Sequence, residues 1–543
     1  MKMKKTKINP LLRLLKLVKP LWPAMLAAIF LGTAGHLAAS FVTISAVMAA
    51  GKLFAGQAAT SLLILVLICG LARGPLHYGE HYFNHLIAFK LLALLRVKLF
   101  HALRRLSPAK LEGKNKGELL ALITGDIELL EIFYAHTISP VAIASLYTLC
   151  MVYFIGHYSW LLAFWALAFY LIVGLVIPAV NARLTSLPGQ AIREKISRLS
   201  GFVLDSIKGS EEIRQFGQGQ KRLENLQKAD QELTKAQQRL AALGNWQQAA
   251  TTLAIQIASA GMLVLSLLLR KHGMTLAGSL TVTATMMSSF GPVVALSALS
   301  TSLAQTAASA QRVLDILDEE PVVSENESGE EPTFSQADLQ KVTFTYPDGD
   351  QPVLKDFSLH IPKGKIIGIH APSGSGKSTI LKLLARFYDA SEGQVSISNT
   401  DIKKIKTSAL RQLESYVPQD TWLASETIEA NIKLGQAATR AEVIQAAKKA
   451  SLHDFILTLT EGYDTKLGEG QQLSAGQKQR LGIARAFLHD GDLFLLDEIT
   501  ANLDALNEGI ILKALKEESQ DKTIVIVSHR LSTLAIADQI ITL

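Results

Sequence analysis

Between residues 21 and 300 the chain carries six apolar stretches long enough to cross a bilayer, near 21–49, 58–78, 133–155, 159–180, 248–269 and 279–300. In hydrocarbon every backbone N–H and C=O must be satisfied internally, and runs of this length manage that as helices. The first and second, third and fourth, and fifth and sixth stretches are joined by short links, around Gly56, His157 and Gly273. The other two links are long and polar. Within them, 88–106 and 220–243 keep a helical period, so the spans are expected to continue well past the membrane. They should meet in pairs at short turns near 107–115 and 205–217, placed to touch a soluble domain. Lys90, Arg96, Lys98, Arg104, Arg105 and Lys110 fill the first long link, and residues 1–20 hold seven Lys or Arg and no acid. That asymmetry puts the N-terminus and both long links in the cytoplasm of a protein of the cytoplasmic membrane. The run 11–19, apolar at helical spacing with a basic face, reads as an interfacial helix on the lipid surface.

Composition fits a membrane half joined to a soluble half: of 543 residues, 49% are hydrophobic and only 19% charged. The net charge of +7 follows from the basic cytoplasmic links. The soluble half has no basic stripe interleaved with aromatics, so no nucleic-acid partner is expected. Cys69 and Cys150 both lie in apolar runs, without a disulfide framework or a C-x-x-C metal spacing. No cleavable signal peptide is evident. The acidic, proline-containing stretch 318–335 reads as a solvated hinge, dividing a transmembrane domain, 1–317, from a soluble domain, 336–543.

From residue 336 short β-runs alternate with helices, the pattern of an α/β domain with a largely parallel sheet. Residues 366–379, IIGIHAPSGSGKST, run from a buried strand through a glycine-rich loop into a helix. Ser373, Gly374, Ser375 and Gly376 can turn backbone N–H groups around a polyphosphate, with Lys377 reaching the β- and γ-phosphates. Ser378 can ligate Mg²⁺, and Thr379 completes the motif. Where such loops usually begin with glycine this chain has Ala371, which would be strained at a positive φ. Tyr346, after a strand-like VTFT, is placed to stack on adenine or to end a strand in the core. Gln419, just past a strand, can complete the Mg²⁺ shell and sense the γ-phosphate. Ser474, Ala475, Gly476 and Gln477 open a helix and form a second anion site. The buried run LFLLDE ends in Asp497, suited to Mg²⁺, and Glu498, suited to polarising a water. His529 stands at the tip of a further buried strand.

Taken together and in order, these elements resemble the ATP-binding cassette (ABC) family over essentially the whole chain. The resemblance matches 371–379 to Walker A, 493–498 to Walker B, Gln419 to the Q-loop, 473–477 to the signature, Asp504 to the D-loop and His529 to the switch histidine. It implies a half-transporter of the exporter type: an all-α six-helix transmembrane domain followed by an α/β P-loop ATPase with a helical subdomain. It further implies ATP and Mg²⁺, and a second half-transporter, because each ATP lies between Walker A of one cassette and the signature of the other. The signature here is LSAGQ where LSGGQ is usual, yet Glu498 and His529 are both present, so the chain's own Walker site is read as competent. The family normally continues beyond the histidine strand, so the end at Leu543 reads as short. A soluble ABC-type ATPase acting on nucleic acid is excluded by the spans.

Within the family, HYFNHLIAFKLLALLRVKLFHALRRLSPAKL and ITGDIELLEIFYAHTISP resemble the CydC-type subunits of heterodimeric transporters tied to cytochrome bd assembly. That resemblance implies a CydD-like partner and small-molecule cargo, cysteine, glutathione or heme; the alternative is a lipid or multidrug exporter. His77, His81 and His85 recur at i, i+4, i+8 beside Arg73, one stripe of a helix. Such a stripe can ligate heme iron, or it can face water or a neighbouring helix.

Overall fold

The computed structural model describes residues 10–112, 116–298, 300–347, 349–372, 374–468, 473–501 and 503–543. These form two compact units: 1–104 with 113–319, and 105–112 with 320–543.

The first unit is helical. Five helical segments among its described residues are long and apolar enough to cross a membrane: Lys19–Phe54, Leu119–Gly156, Trp160–Thr185, Gly219–His272 and Leu276–Leu296. The stretch expected at 58–78 falls in another long helix, Thr60–Leu106, whose apolar run breaks at Arg73, Gly74 and Pro75. The stretch expected at 279–300 is not one continuous helix. It stops at Ser288 and restarts at Gly291–Ala298, because Pro292 has no N–H to bond the Ser288 carbonyl and is tolerated only in the first turn of a new helix. The long links are helical, as their period predicts: one helix runs over Ile177–Lys208, and Gly219–Leu268 continues through the expected 220–243. Between these two lies a short helix, Ser210–Gln215, at the turn expected near 205–217.

Lipid tails are as apolar as the helices themselves, so contact between helices relies on small residues and buried polar bonds. Both occur here. A Cβ on Gly261 would run into the Trp165 indole, and the Trp165 Nε1–H donates to the Ala258 carbonyl at 3.0 Å. Ser40 and Tyr147 hydroxyls bond between helices, as do Tyr170 and Ser289 at 2.5 Å. Large apolar side chains such as Phe30, Leu71 and Phe164 point outward. The amphipathic helix Pro10–Leu17 buries Leu14 and ties Arg13 to Asp318 by two bonds, of 2.5 and 2.8 Å.

The second unit holds two sheets. Strands β1 (Gln336–Phe344), β2 (Leu354–Pro362), β4 (Glu392–Ile397) and β5 (Thr400–Asp401) form an antiparallel sheet in the order β2-β1-β4-β5. The largely parallel reading therefore holds for only one sheet. The period-2 alternation of β2, as in Leu359-His360-Ile361, belongs to a sheet with one wet face. The other sheet is parallel, in the order β6-β7-β8-β3-β9, from Glu414–Val417, Leu493–Asp497, Thr523–Ser528, Ile366–His370 and Gln539–Thr542. β7 and β8 are buried throughout, as near-continuous apolar runs should be. The helices Ile428–Lys433, Arg440–Lys449 and Ala475–His489 pack over it as a helical subdomain.

The acidic stretch is not a free hinge after Glu320. Asn326 donates twice to the start of the helix Thr407–Leu413 and the segment before it, its backbone N–H to Thr407 Oγ1 at 2.9 Å and its side-chain amide to the Lys403 carbonyl at 3.2 Å. Glu331 pairs with Lys406 at 2.5 Å, and Gly329 leaves no room for a Cβ beside the Lys404 carbonyl. One of its acids, Glu331, finds a basic partner on the cassette surface, which composition alone does not reveal.

Candidate functional site

In a parallel sheet, ligands gather at the carboxyl ends of the strands. β3 ends at the glycine-rich loop, β7 at Asp497 and Glu498, β8 one residue before His529, and β6 two residues before Gln419. Sheet order sets these neighbours side by side, since β8 lies between β7 and β3.

The loop is shaped by its glycines. Gly374 and Gly376 have φ of +83° and +94°, and a Cβ on Gly376 would stand 2.7 Å from Val353. Ala371, buried and not among the residues of positive φ, accepts its methyl without the strain considered above. Ser373 lies outside the described residues. Lys377 is only 5% exposed, its ammonium donating to the carbonyls of Ala371 at 2.8 Å and Pro372 at 3.0 Å and standing 3.4 Å from Glu498. Ser378 Oγ donates to Asp497 at 3.0 Å, and Thr379 bonds the Tyr346 hydroxyl at 2.9 Å.

Glu498 is the hub. Its carboxylate meets Lys377, accepts from the Gln419 amide at 3.3 Å and stands 3.3 Å from His529 Nδ1. Its backbone is left-handed, φ +48°, and its N–H is held by the Val527 carbonyl at 2.9 Å. A non-glycine residue in that conformation is strained, and such strain collects at functional sites. Burial pushes the Asp497 carboxyl up; the Ser378 hydrogen bond opposes this and the Glu498 charge adds to it.

These residues fit a nucleoside triphosphate with Mg²⁺. Two left-handed glycines turn backbone donors into the loop, a buried ammonium has only carbonyls and one carboxylate as partners, and the Ser378 and Asp497 oxygens lie side by side. Ser474 and Asp504 are differently employed. Ser474 caps the helix Ala475–His489 reciprocally with Gln477, leaving Ala475 and Gly476 in its first turn, and Asp504 takes the Asn507 amide. Among the described residues no hydrogen bond or ion pair joins Ser474, Ala475, Gly476, Gln477 or Asp504 to Lys377 or Glu498. Residues the sequence reading passed over also support the site. Gln479 donates to the Glu498 carbonyl at 3.4 Å, and Arg530 holds the carbonyls of Thr500 and Ala501 at 3.4 and 3.1 Å. Adjacency to His529 was the available signal for Arg530.

In the helical unit the histidine stripe is real. His77 stacks on His81 with centroids 5.2 Å apart, and His81 meets His85 edge-on at 5.4 Å. The stripe extends beyond its own helix: His85 lies 3.3 Å from Glu131 and 5.5 Å from the His136 ring, while His77 bonds Glu80 at 3.2 Å. Arg73 is exposed. Among the described residues no three His, Cys, Asp or Glu side chains converge on a metal position.

Comparison with known proteins agrees with this geometry. The ABC transporter transmembrane region model matches residues 22–293, and the ABC transporter model matches 354–501. A Haemophilus influenzae protein described as a probable ABC transporter ATP-binding/permease protein is 44% identical over 97% of both chains. A Staphylococcus aureus protein named for multidrug export is 31% identical over 88% of this chain and 84% of its own. The solved structure of a bacterial Atm1-family ABC exporter with ATP bound superposes with a TM-score of 0.78 at 26% identity, covering 97% of this chain and 93% of that one. ABC half-transporters act as dimers. With both regions matched along one chain and a near full-length relative at that identity, the chain belongs to the ABC transporter family, as a membrane-spanning exporter half-transporter whose cassette is an ATPase coupled to transport.

Proposed function

We propose that this half-transporter hydrolyses ATP at its own Walker site and couples it to alternating-access export from the cytoplasm. The gathering of Lys377, Gln419 and His529 around Glu498 carries the reading. In this reading Lys377 exchanges the Glu498 carboxylate for phosphate, which leaves Glu498 free to polarise the attacking water, with His529 and Gln419 holding the γ-phosphate end. Ser378, Gln419 and Asp497 would hold Mg²⁺, which when bound neutralises charge on the transferring phosphates. Tyr346 stacks on adenine. Ser474, Ala475, Gly476 and Gln477, with Asp504, serve the partner's nucleotide. A second half is also suggested by the tip of the second long link, where Phe202, Ile207 and Leu223 line an apolar groove of about 550 Å³ and Phe216 is 70% exposed. The basic links support a reading in which that tip lies in the cytoplasm, below six spans of the cytoplasmic membrane.

For cargo, the Staphylococcus relative's name favours a multidrug-type exporter of small amphipathic molecules. The CydC-like reading, with cysteine, glutathione or heme as cargo and a CydD-like partner, rests on the sequence resemblance and, for heme, on the histidine stripe with Arg73. Purified protein in inverted vesicles decides between them. ATP-dependent uptake of an amphipathic dye, unaffected by glutathione, cysteine or hemin, supports the first. Uptake of a thiol or hemin, with a second non-identical subunit co-purifying, supports the second. No ATP-dependent uptake of any of these, or turnover unchanged in Glu498→Gln, would remove the proposal.

A further inference from the structure

The turn 105–112, although it continues the helix Thr60–Leu106, belongs to the compact unit of the cassette. Ala109 packs on the cassette's core, and the Tyr388 hydroxyl lies 3.3 Å from the Ala109 carbonyl. Glu112 makes the main polar contact. One carboxylate oxygen takes the Lys382 ammonium, and the other accepts from the Tyr388 hydroxyl at 2.9 Å. Burial alone would raise the Glu112 carboxyl, but Lys382 and Tyr388 hold it below the usual range; burial opposes the Lys382 ammonium, and Glu112 raises it. Both groups are therefore charged around neutral pH.

Those two partners are also walls of the Tyr346 site. Tyr388, 3% exposed, meets the Tyr346 ring edge-on at 5.2 Å, and Phe344 does so at 4.9 Å. The Lys382 ammonium stands 5.8 Å from the Tyr346 ring centre, and the Tyr346 hydroxyl is tied to Thr379. Of these neighbours of the ring, Lys382 and Tyr388 are held by Glu112, while Phe344 and Thr379 are not.

We infer that Glu112 is a positioning residue for the nucleobase: by holding Lys382 and Tyr388 it sets the Tyr346 ring, so docking of the 105–112 turn raises affinity for the base of the nucleotide and not for its phosphates. The inference rests on the reading of Tyr346 as the adenine platform. Coupling free energies are reciprocal. A nucleotide with its base therefore tightens the docking of the turn by the factor by which the turn tightens the nucleotide. A triphosphate without a base leaves the turn unchanged. The turn 105–112 thereby senses a nucleotide bound to the cassette.

The experiment compares ATP with inorganic tripolyphosphate, by calorimetry on the full-length protein in lipid nanodiscs. Glu112→Ala should weaken ATP about 5-fold, the class of one ordinary hydrogen bond, and leave tripolyphosphate within about 2-fold. Glu112→Gln, which keeps an acceptor for Tyr388 and loses the ion pair, should fall between. Tyr388→Phe removes only the hydroxyl, so it keeps the packed ring and should lose about 2-fold on ATP alone. Amide exchange in 105–112 should slow with ATP and not with tripolyphosphate. If Tyr346→Ala lowers the ATP preference and the Glu112 and Tyr388 variants do not, the inference is wrong while the platform reading stands. If Tyr346→Ala leaves the preference intact, the platform reading fails and the inference with it. A parallel loss for both ligands would mark Glu112 as merely structural and overturn the proposal.

Discussion

Glu498 carries two loads, a strained backbone and three polar partners. A glutamine is nearly isosteric and keeps the hydrogen bonds that set the loop, but cannot take up a proton from water. Glu498→Gln should therefore bind ATP normally and turn it over on the order of 10²-fold more slowly or worse, measured by steady-state phosphate release beside equilibrium nucleotide binding. Wild-type turnover in that variant would exclude Glu498 as the water-orienting group. A second carboxylate serves stability instead. Glu414, 5% exposed at the start of β6, is pushed up to about 7 by burial, against the opposing pull of Arg411. An unfolded glutamate releases its proton near about 4.3. Between that value and about 7 the folded chain holds a proton the unfolded chain has lost, so this residue makes stability fall as pH rises, with the loss complete above 7. Glu414→Gln should flatten that slope and gain most on wild type at pH 8, as read by thermal unfolding from pH 5 to 8. A steeper slope in the variant would show the sign to be wrong.

At the scale of elements, close approaches set the sensitive positions. Any Cβ at Gly261 meets the rigid Trp165 ring, so Gly261→Val should destabilise the helical unit by about 1–3 kcal/mol, seen as a lower midpoint of thermal unfolding in detergent. Gly376→Ala combines left-handed backbone with a Cβ 2.7 Å from Val353 and should abolish triphosphate binding, whereas Ala371→Gly should change little. Much of this was legible in the sequence because it is local. Strand, glycine loop and helix are contiguous at 366–384, and the buried runs that become β7 and β8 announce their carboxyl-end residues directly. What was not legible depends on partners distant along the chain. The antiparallel sheet pairs β1 with β4, 49 to 60 residues apart, and the apparent hinge is pinned by Lys403 and Lys406. Glu112 gave no local signal at all, since Lys382 and Tyr388 reach it only through the fold.

For the whole molecule, the proposed function has one nucleotide site drawing on two chains, and on that proposal activity should depend on assembly. Mixing Glu498→Gln protein with wild type in increasing ratio should lower ATPase activity faster than simple dilution if the two sites of a dimer are coupled, and in strict proportion if they are independent. Orientation has its own test. In a protein lacking Cys69 and Cys150, a cysteine at exposed Gln57 should react with an impermeant maleimide from outside the cell. One at exposed Gln218 should react only after permeabilisation. The opposite pattern would invert the topology argued from the basic links.

The helix Gly219–Leu268 is 50 residues long, which at 1.5 Å per residue is a rod of about 75 Å. Tilting such a rod by about 5° swings its far end by roughly 6 Å, enough to open or close a passage for a small molecule. Leverage of this kind is only as good as the rod is stiff. Near its middle sits Gly244, where an added Cβ would meet nothing within 4 Å, so sterics do not demand glycine there. Glycine is a poor helix former, so the rod carries a position of lower intrinsic helix stability near its middle. Gly244→Ala, worth about 1 kcal/mol in helix stability, should stiffen it and raise the amount of cargo moved per ATP consumed, at the expense of slower cycling.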